Sequence, residues 1–273
     1  GVNNQLHFIY LKKNKTMKNI LIPFLIAALM IFSCKKSSKE EDTQSLVVAE
    51  QNMSVIAKRT ATWCGPCGSW GFPAFENLET IFEGEAVFMA WKDAFVSPKG
   101  SELFDEVGPL FDLGNGVPTF FTNFIKGGSD TDLVENHNNA PVVANSNYNF
   151  SVSGNKVSLI TTTKFFQDVE GDYLMAPYMI VDGIIGNQAG NPAGANTVHH
   201  KYVSDIAKPV TSSEVNNFGY TIASGGAKLG QTISMEFELT KDPNWNNSDI
   251  SFGLIIFRQE SSDSLTFINA FTK

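Results

Sequence analysis

The chain is short of cysteine, histidine and positive charge. Three cysteines and four histidines occur in 273 residues. A disulfide-stapled secreted domain carries more cysteines, in even number, so no structural disulfide framework is present. A zinc site takes about four Cys or His ligands, and His137, His199 and His200 lie far in sequence from the one close pair of cysteines. Lysine and arginine number 20 against 28 acidic residues, a formal charge of −8. That balance disfavours nucleic acid, which is bound largely by neutralising phosphates. No apolar run after residue 34 approaches the ~20 residues that span a bilayer. Phenylalanine is plentiful instead, at 22 residues within a 42% hydrophobic composition, enough to build a real core.

The N-terminal part reads as an export signal. Gly1 to Thr16 begin without a methionine and are treated as upstream sequence; Met17 and Lys18 then open a basic start. Asn19 to Phe32 are almost unbroken apolar residues, followed by Ser33-Cys34. The run is too short for an ordinary spanning helix and has the length of a signal-peptide core. A small residue before a cysteine at the end of such a core resembles a bacterial lipobox. The resemblance implies cleavage before Cys34 and acylation of that cysteine; an uncleaved single-helix anchor is the alternative. More than one acyl chain gives stable membrane attachment. Lys35 to Ser45 are polar and read as a flexible tether. No aspartate follows Cys34, which favours the outer membrane, on its periplasmic or surface face. Removing residues 1–33 takes away four lysines and no acid, leaving 16 basic against 28 acidic residues, a net −12.

Trp63-Cys64-Gly65-Pro66-Cys67 carries the most information. Two cysteines two residues apart close a small disulfide ring with little backbone movement. Ser54 to Thr62 are rich in β-branched residues and predict a strand leading into the motif. Phe72, Phe75, Leu78 and Phe82 recur at helical spacing after it, and Gly84 is a helix stop. Glu85 to Lys92 predict a second strand. Leu103, Val107, Leu110 and Phe111 suggest a helix, bent at Gly108-Pro109. Thr119 to Ile125 predict a third strand, ended by Gly127-Gly128. Strands alternating with helices indicate an α/β architecture.

Gly116-Val117-Pro118-Thr119 lies just before that third strand. The two motifs in this order resemble thioredoxin. The resemblance implies a cis bond between Val117 and Pro118, with the proline packed beside the active-site pair. It also implies a redox role. Cys64, at the exposed tip of a helix N-terminus, would be the nucleophile, because unpaired N–H groups and the helix dipole stabilise a thiolate there. Cys67, one turn in, would resolve the mixed disulfide. Gly65-Pro66 keep the turn tight, Trp63 offers a partner an apolar face, and the Val117 backbone would pair with an extended substrate by strand addition. Half a zinc site and a purely structural disulfide are the alternatives. The pattern also departs from the family. Thioredoxins have a buried carboxylate six residues before the first cysteine; Lys58 stands there, either depressing a thiol pKa or pointing to solvent. Gly68, Gly71 and Pro73 weaken the first helical turns.

From about Asn147 the texture changes. Phe150 to Ile160 read as a hairpin around Gly154-Asn155. Tyr173–Asp182, Thr197–Val203, Thr232–Leu239, Ile250–Phe257 and Leu265–Phe271 are further strands, separated by turns such as Gly186 to Gly190. Many short strands with polar turns suggest a β-sandwich. The expected fold is therefore an α/β thioredoxin-like domain followed by an all-β, sandwich-like domain. The expected boundaries are 1–33 for upstream residues and signal peptide, 34–45 for the lipidated tether, 46–143 for the first domain and 144–273 for the second.

The lipobox, the Trp63 to Cys67 motif, Val198 to Val203, and Trp245 followed by Ser251 to Phe257 together resemble envelope lipoproteins related to the twenty-eight-kilodalton outer membrane protein. Three functions compete. The first is a membrane-anchored thiol–disulfide oxidoreductase, reductase or isomerase, acting on envelope proteins. It needs no cofactor and no metal. The second is a surface binding or adhesion lipoprotein with a thioredoxin-like scaffold. The third is a peroxide-consuming thiol enzyme, for which Arg59 and Thr60 are close in sequence. His199-His200 invite a metal, but neighbours on a strand point to opposite faces. The oligomeric state is not legible.

Overall fold

Strands β1 (Ser54–Thr60) and β2 (Ala86–Lys92) are buried at every position and pair in parallel. A parallel pair covered on both faces shows no polar alternation, which is how both segments read. In the computed structural model, residues 46–92, 95–128 and 130–273 are described, and they fall in one compact unit. The signal peptide, Cys34 and the whole of the expected tether lie outside the described residues.

The chain leaves β1 through the cysteine motif. A π-helical turn, Cys67–Gly71, leads into α1 (Phe72–Ile81). Phe72, Phe75 and Phe82 are buried along it, as their spacing implied. Gly84, at φ 77°, supplies the left-handed residue that turns the chain toward β2. Helix α2 (Pro98–Leu110) is capped by Ser97, whose side chain accepts from the Gly100 N–H. Pro109 sits inside its last turn, so the helix runs past the expected bend. Strand β3 (Thr119–Thr122) pairs antiparallel with β1, and β4 (Ile125–Lys126) with β3. Helix α3 (Asp130–Asn138) buries only Val134. Asp130 and Asp132 in its first turn suit the positive end of its dipole.

The remaining strands are β5 (Ala144–Ser153), β6 (Lys156–Phe165), β7 (Asp172–Val181), β8 (Ile184–Gly186), β9 (Thr197–His199), β10 (Tyr202–Ile206), β11 (Lys208–Pro209), β12 (Tyr220–Ala223), β13 (Thr232–Thr240), β14 (Ile250–Ser261) and β15 (Ser264–Phe271). The 197–203 run expected as one strand is two. Lys201, at φ 59°, breaks it, and Asp182 holds that break by accepting from both the Lys201 N–H and its Nζ.

Nine strands form one mixed sheet in the order β15-β14-β7-β10-β2-β1-β3-β4, with β12 also on β7. A second sheet runs β11-β13-β6-β5, and β8 pairs with β9 alone. The second sheet packs on one face of β7 and β14, where Tyr148, Leu159 and Phe237 meet Met175, Met179, Phe252 and Leu254. The opposite face of the same two strands supplies Ala176, Tyr178, Ile255 and Phe257 to a core shared with Val55, Met89, Trp91 and Leu103. Consecutive residues of β7 and β14 thus serve two cores.

This corrects the expected division. The stretches 46–143 and 144–273, expected as consecutive domains, share a sheet and a core. Tyr202 of β10 pairs with Ala90 of β2, and the Ala270 N–H donates to the Met53 carbonyl. The physical reason is that β7 and β14 are apolar on both faces and need cover on both. The sandwich-like packing is present, and the described residues fall in one compact unit.

Candidate active site

Cys64 and Cys67 are joined by a disulfide at the junction between β1 and the π-helical turn, with their Cα atoms 5.2 Å apart. The Cys67 N–H donates to Cys64 Sγ at 3.1 Å. The Cys64 N–H closes a turn on the Ala61 carbonyl, and the Gly68 N–H reaches the Cys64 carbonyl. The first sulfur therefore accepts from one N–H of a helical start, a setting that stabilises a thiolate. Val117–Pro118 is cis. The Val117 carbonyl lies 3.5 Å from Cys64 Sγ, and Val117 packs against Ala61 and both cysteines. Pro118 lies against Gly71, leaving little more than van der Waals room there. Trp63, Cys64, Gly65, Pro66, Cys67, Val117 and Pro118 are thus brought together. Trp63 is 69% exposed, whereas Cys64 is 4% exposed rather than the open tip expected of it.

The cover comes from the C-terminal half. The loop between β8 and β9 lies on the motif. The Ala189 N–H donates to the Thr62 carbonyl at 2.8 Å. Gln188 is 1% exposed; its Nε2 donates to the Ala61 carbonyl at 3.0 Å and the Cys64 carbonyl at 3.1 Å. Its Oε1 accepts from Lys92 Nζ at 3.0 Å, and Lys92 Nζ also meets His199 Nδ1 at 3.1 Å. His199 Nε2 faces the Gly186 carbonyl. Sequence reasoning missed this layer. Gly186 to Gly190 read as a turn between strands, and its glycines were the one sign of a close backbone approach.

Burial and the Lys92 ammonium hold His199 down to about pKa 3, so the imidazole is neutral. Lys58 does not point to solvent. It is 3% exposed, with Nζ 4.3 Å from the Phe72 ring centre and 4.2 Å from that of Phe75. Burial pulls its pKa down to about 7, partly opposed by Glu79 and Glu76. Arg59 points the other way. Its guanidinium donates to the carbonyls of Gly114 and Phe104, on the side of α2. It is therefore engaged away from the sulfurs, against the peroxide-consuming reading.

His199 is buried while His200 is exposed near Asp182, so the adjacent histidines do not converge. Among the described residues, no group of three or more His, Cys, Asp or Glu side chains stands where it would hold a metal ion. Among the same residues, no helix is long and apolar enough to cross a membrane.

Fold and site define a mixed-sheet α/β protein with a C-x-x-C disulfide at a strand–helix junction and a β-rich half completing its surroundings. No protein-family model matches the chain, and no curated protein matches it. Among solved structures it is similar to HBP35 of Porphyromonas gingivalis. That likeness has a TM-score of 0.63 at 17% identity, covering 82% of this chain and 76% of that one. At this identity the likeness bears on fold alone.

Proposed function

We propose that the chain is a membrane-anchored thiol–disulfide oxidoreductase, reductase or isomerase, that acts on envelope proteins through Cys64 and Cys67. The observation that carries the reading is the Cys64–Cys67 disulfide at a helical start, with the cis Val117–Pro118 carbonyl beside the first sulfur. The order β4-β3-β1-β2, with α1 between the parallel strands, supports a thioredoxin-like assignment for this part of the sheet.

In the reduced protein the Cys64 thiolate attacks one sulfur of a substrate disulfide. A Cys64–substrate mixed disulfide forms, and the other substrate sulfur leaves as a thiolate and takes a proton. Cys67 then attacks Cys64 Sγ, releasing the second substrate thiol and closing the Cys64–Cys67 bond. Two electrons pass to the substrate, and an external dithiol restores the protein. An isomerase stops short of the second step whenever another substrate thiol displaces Cys64. Trp63, the most exposed large aromatic at the motif, supplies apolar contact area to the substrate. Anchoring rests on the expected lipidation of Cys34.

The 4% exposure of Cys64 favours a second reading, a binding or adhesion lipoprotein whose disulfide only fixes a scaffold. Replacing Cys67 by Ser separates the two. In an oxidoreductase the variant retains envelope proteins as mixed disulfides on Cys64, released by reductant; in a scaffold it retains none.

A further inference from the structure

Gln188 lies 124 residues from Cys64 in sequence, yet it reaches into the turn that carries the first cysteine. Its carboxamide is spanned by partners at both ends. Nε2 has three acceptors, the carbonyls of Ala61, Cys64 and Ala189. Oε1 has the Lys92 ammonium. Lys92 is fixed in turn by His199 Nδ1 and by the ring of Phe95, whose centre is 4.3 Å from Nζ. The side chain is buried to within 1%, where each unmade hydrogen bond carries its desolvation cost. The loop that bears it also donates the Ala189 N–H to Thr62. Residues 61, 62 and 64 are therefore held from outside by one short loop.

From this geometry we infer that Gln188 is a positioning residue for the Cys64–Cys67 couple, a clamp that favours the closed disulfide over the open dithiol. The inference rests on the redox reading of the pair but concerns an equilibrium, not a substrate. Two thiols need more room than one S–S bond, and the turn bearing Cys64 must relax to provide it. A turn pinned at two carbonyls by a buried, charge-assisted amide resists that relaxation. The constraint acts on the oxidised form seen in the structure, so its removal favours reduction. The β-rich half thereby sets the redox balance of a motif located in the other half.

The test is the equilibrium between the pair and dithiothreitol at set ratios of its dithiol and cyclic disulfide forms, read by mass-tagging free thiols. Two electrons and two protons pass to the pair as dithiothreitol closes its own disulfide. Gln188→Met keeps the length and packing and loses every polar contact. Gln188→Glu keeps the Lys92 contact and loses the donations to all three carbonyls. Each is expected to move the equilibrium constant at least about tenfold toward the dithiol, or ~30 mV for a two-electron couple. Ile185→Ser, on the same hairpin at a 67% exposed position, is expected to leave it within twofold. Should Gln188→Met fail to fold, Gln188→Asn, one methylene short of both carbonyls, carries the same expectation. Folded Gln188 variants within twofold of the parent, or shifted toward the disulfide, overturn the inference while a reversible parent leaves the redox reading intact. A parent pair that never reduces overturns both.

Discussion

Gly190 and Gly65 meet so closely that a Cβ on Gly190 would stand 2.1 Å from the Gly65 carbonyl oxygen. One turn on, a Cβ on Gly68 would stand 2.1 Å from the Ala189 carbonyl oxygen. Both obstacles are backbone, which cannot swing aside as a side chain can. Gly68, which weakens the start of the helix, and Gly190 on the loop are therefore what let the β8–β9 loop lie on the motif.

Gly68→Ala is expected to push that loop away and to destabilise the oxidised protein by about 2 kcal/mol or more, the scale of overpacking in a closed contact. Gly190→Ala adds backbone strain, since Gly190 sits at φ 77°. Gly65→Ala meets nothing within 4 Å and is expected to cost far less. Denaturant midpoints of the three oxidised variants check the order.

Lys58 is held well below the usual lysine range, at about 7, chiefly by burial, with Glu79 and Glu76 opposing. The unfolded chain binds the extra proton between about pH 7 and the ordinary lysine value, so Lys58's contribution makes stability rise with pH across that window. Lys58→Met is expected to stabilise the protein at pH 7 by on the order of 3 kcal/mol. The gain is expected to shrink as pH approaches about 10. Paired unfolding curves for parent and variant at several pH values measure it.

His199 behaves in the opposite window. Burial first, then Lys92, lowers its pKa to about 3, so below about pH 6.5 the unfolded state takes up a proton that the folded state refuses. Stability is lost as pH falls. His137, lowered by burial as well, adds to the same slope. His199→Gln is expected to make the loss between about pH 7 and about pH 4.5 shallower without abolishing it.

Trp63 separates stability from recognition. At 69% exposure its replacement by Ala is expected to change stability by less than about 0.5 kcal/mol. Reduction of a protein disulfide is expected to slow by roughly fivefold, equivalent to about 1 kcal/mol of lost apolar contact. Reduction of a small-molecule disulfide is expected to keep its parent rate.

The α/β part of the fold is written in local signals. β1, β2 and β3 are short β-rich runs, and Phe72, Phe75, Leu78 and Phe82 mark one helix face. The longer strands of the β-rich half, β5, β6, β7, β13, β14 and β15, are legible too, because turn residues such as Gly154 punctuate them; the short β8, β11 and β12 are not. Helix α3 was not, since Asp130–Asn138 offers a single buried apolar side chain. The union of the two halves was not either. Tyr202 beside Ala90 and Gln188 beside Cys64 are long-range pairings, and a single sequence carries no local trace of them. The site residues near the motif could be named from the cysteine spacing and, for Val117 and Pro118, from the resemblance to thioredoxin; those that hold it from the β8–β9 loop could not.

The central claim is that the Cys64–Cys67 bond is a working redox couple. Its most direct test is the fraction of free thiol in the folded protein, equilibrated against buffers poised across the range of known oxidoreductases, roughly −270 to −120 mV. The account predicts a reversible two-electron transition inside or close to that range, with the protein folded throughout. A pair that stays oxidised well below that range and opens only when the chain unfolds would contradict it.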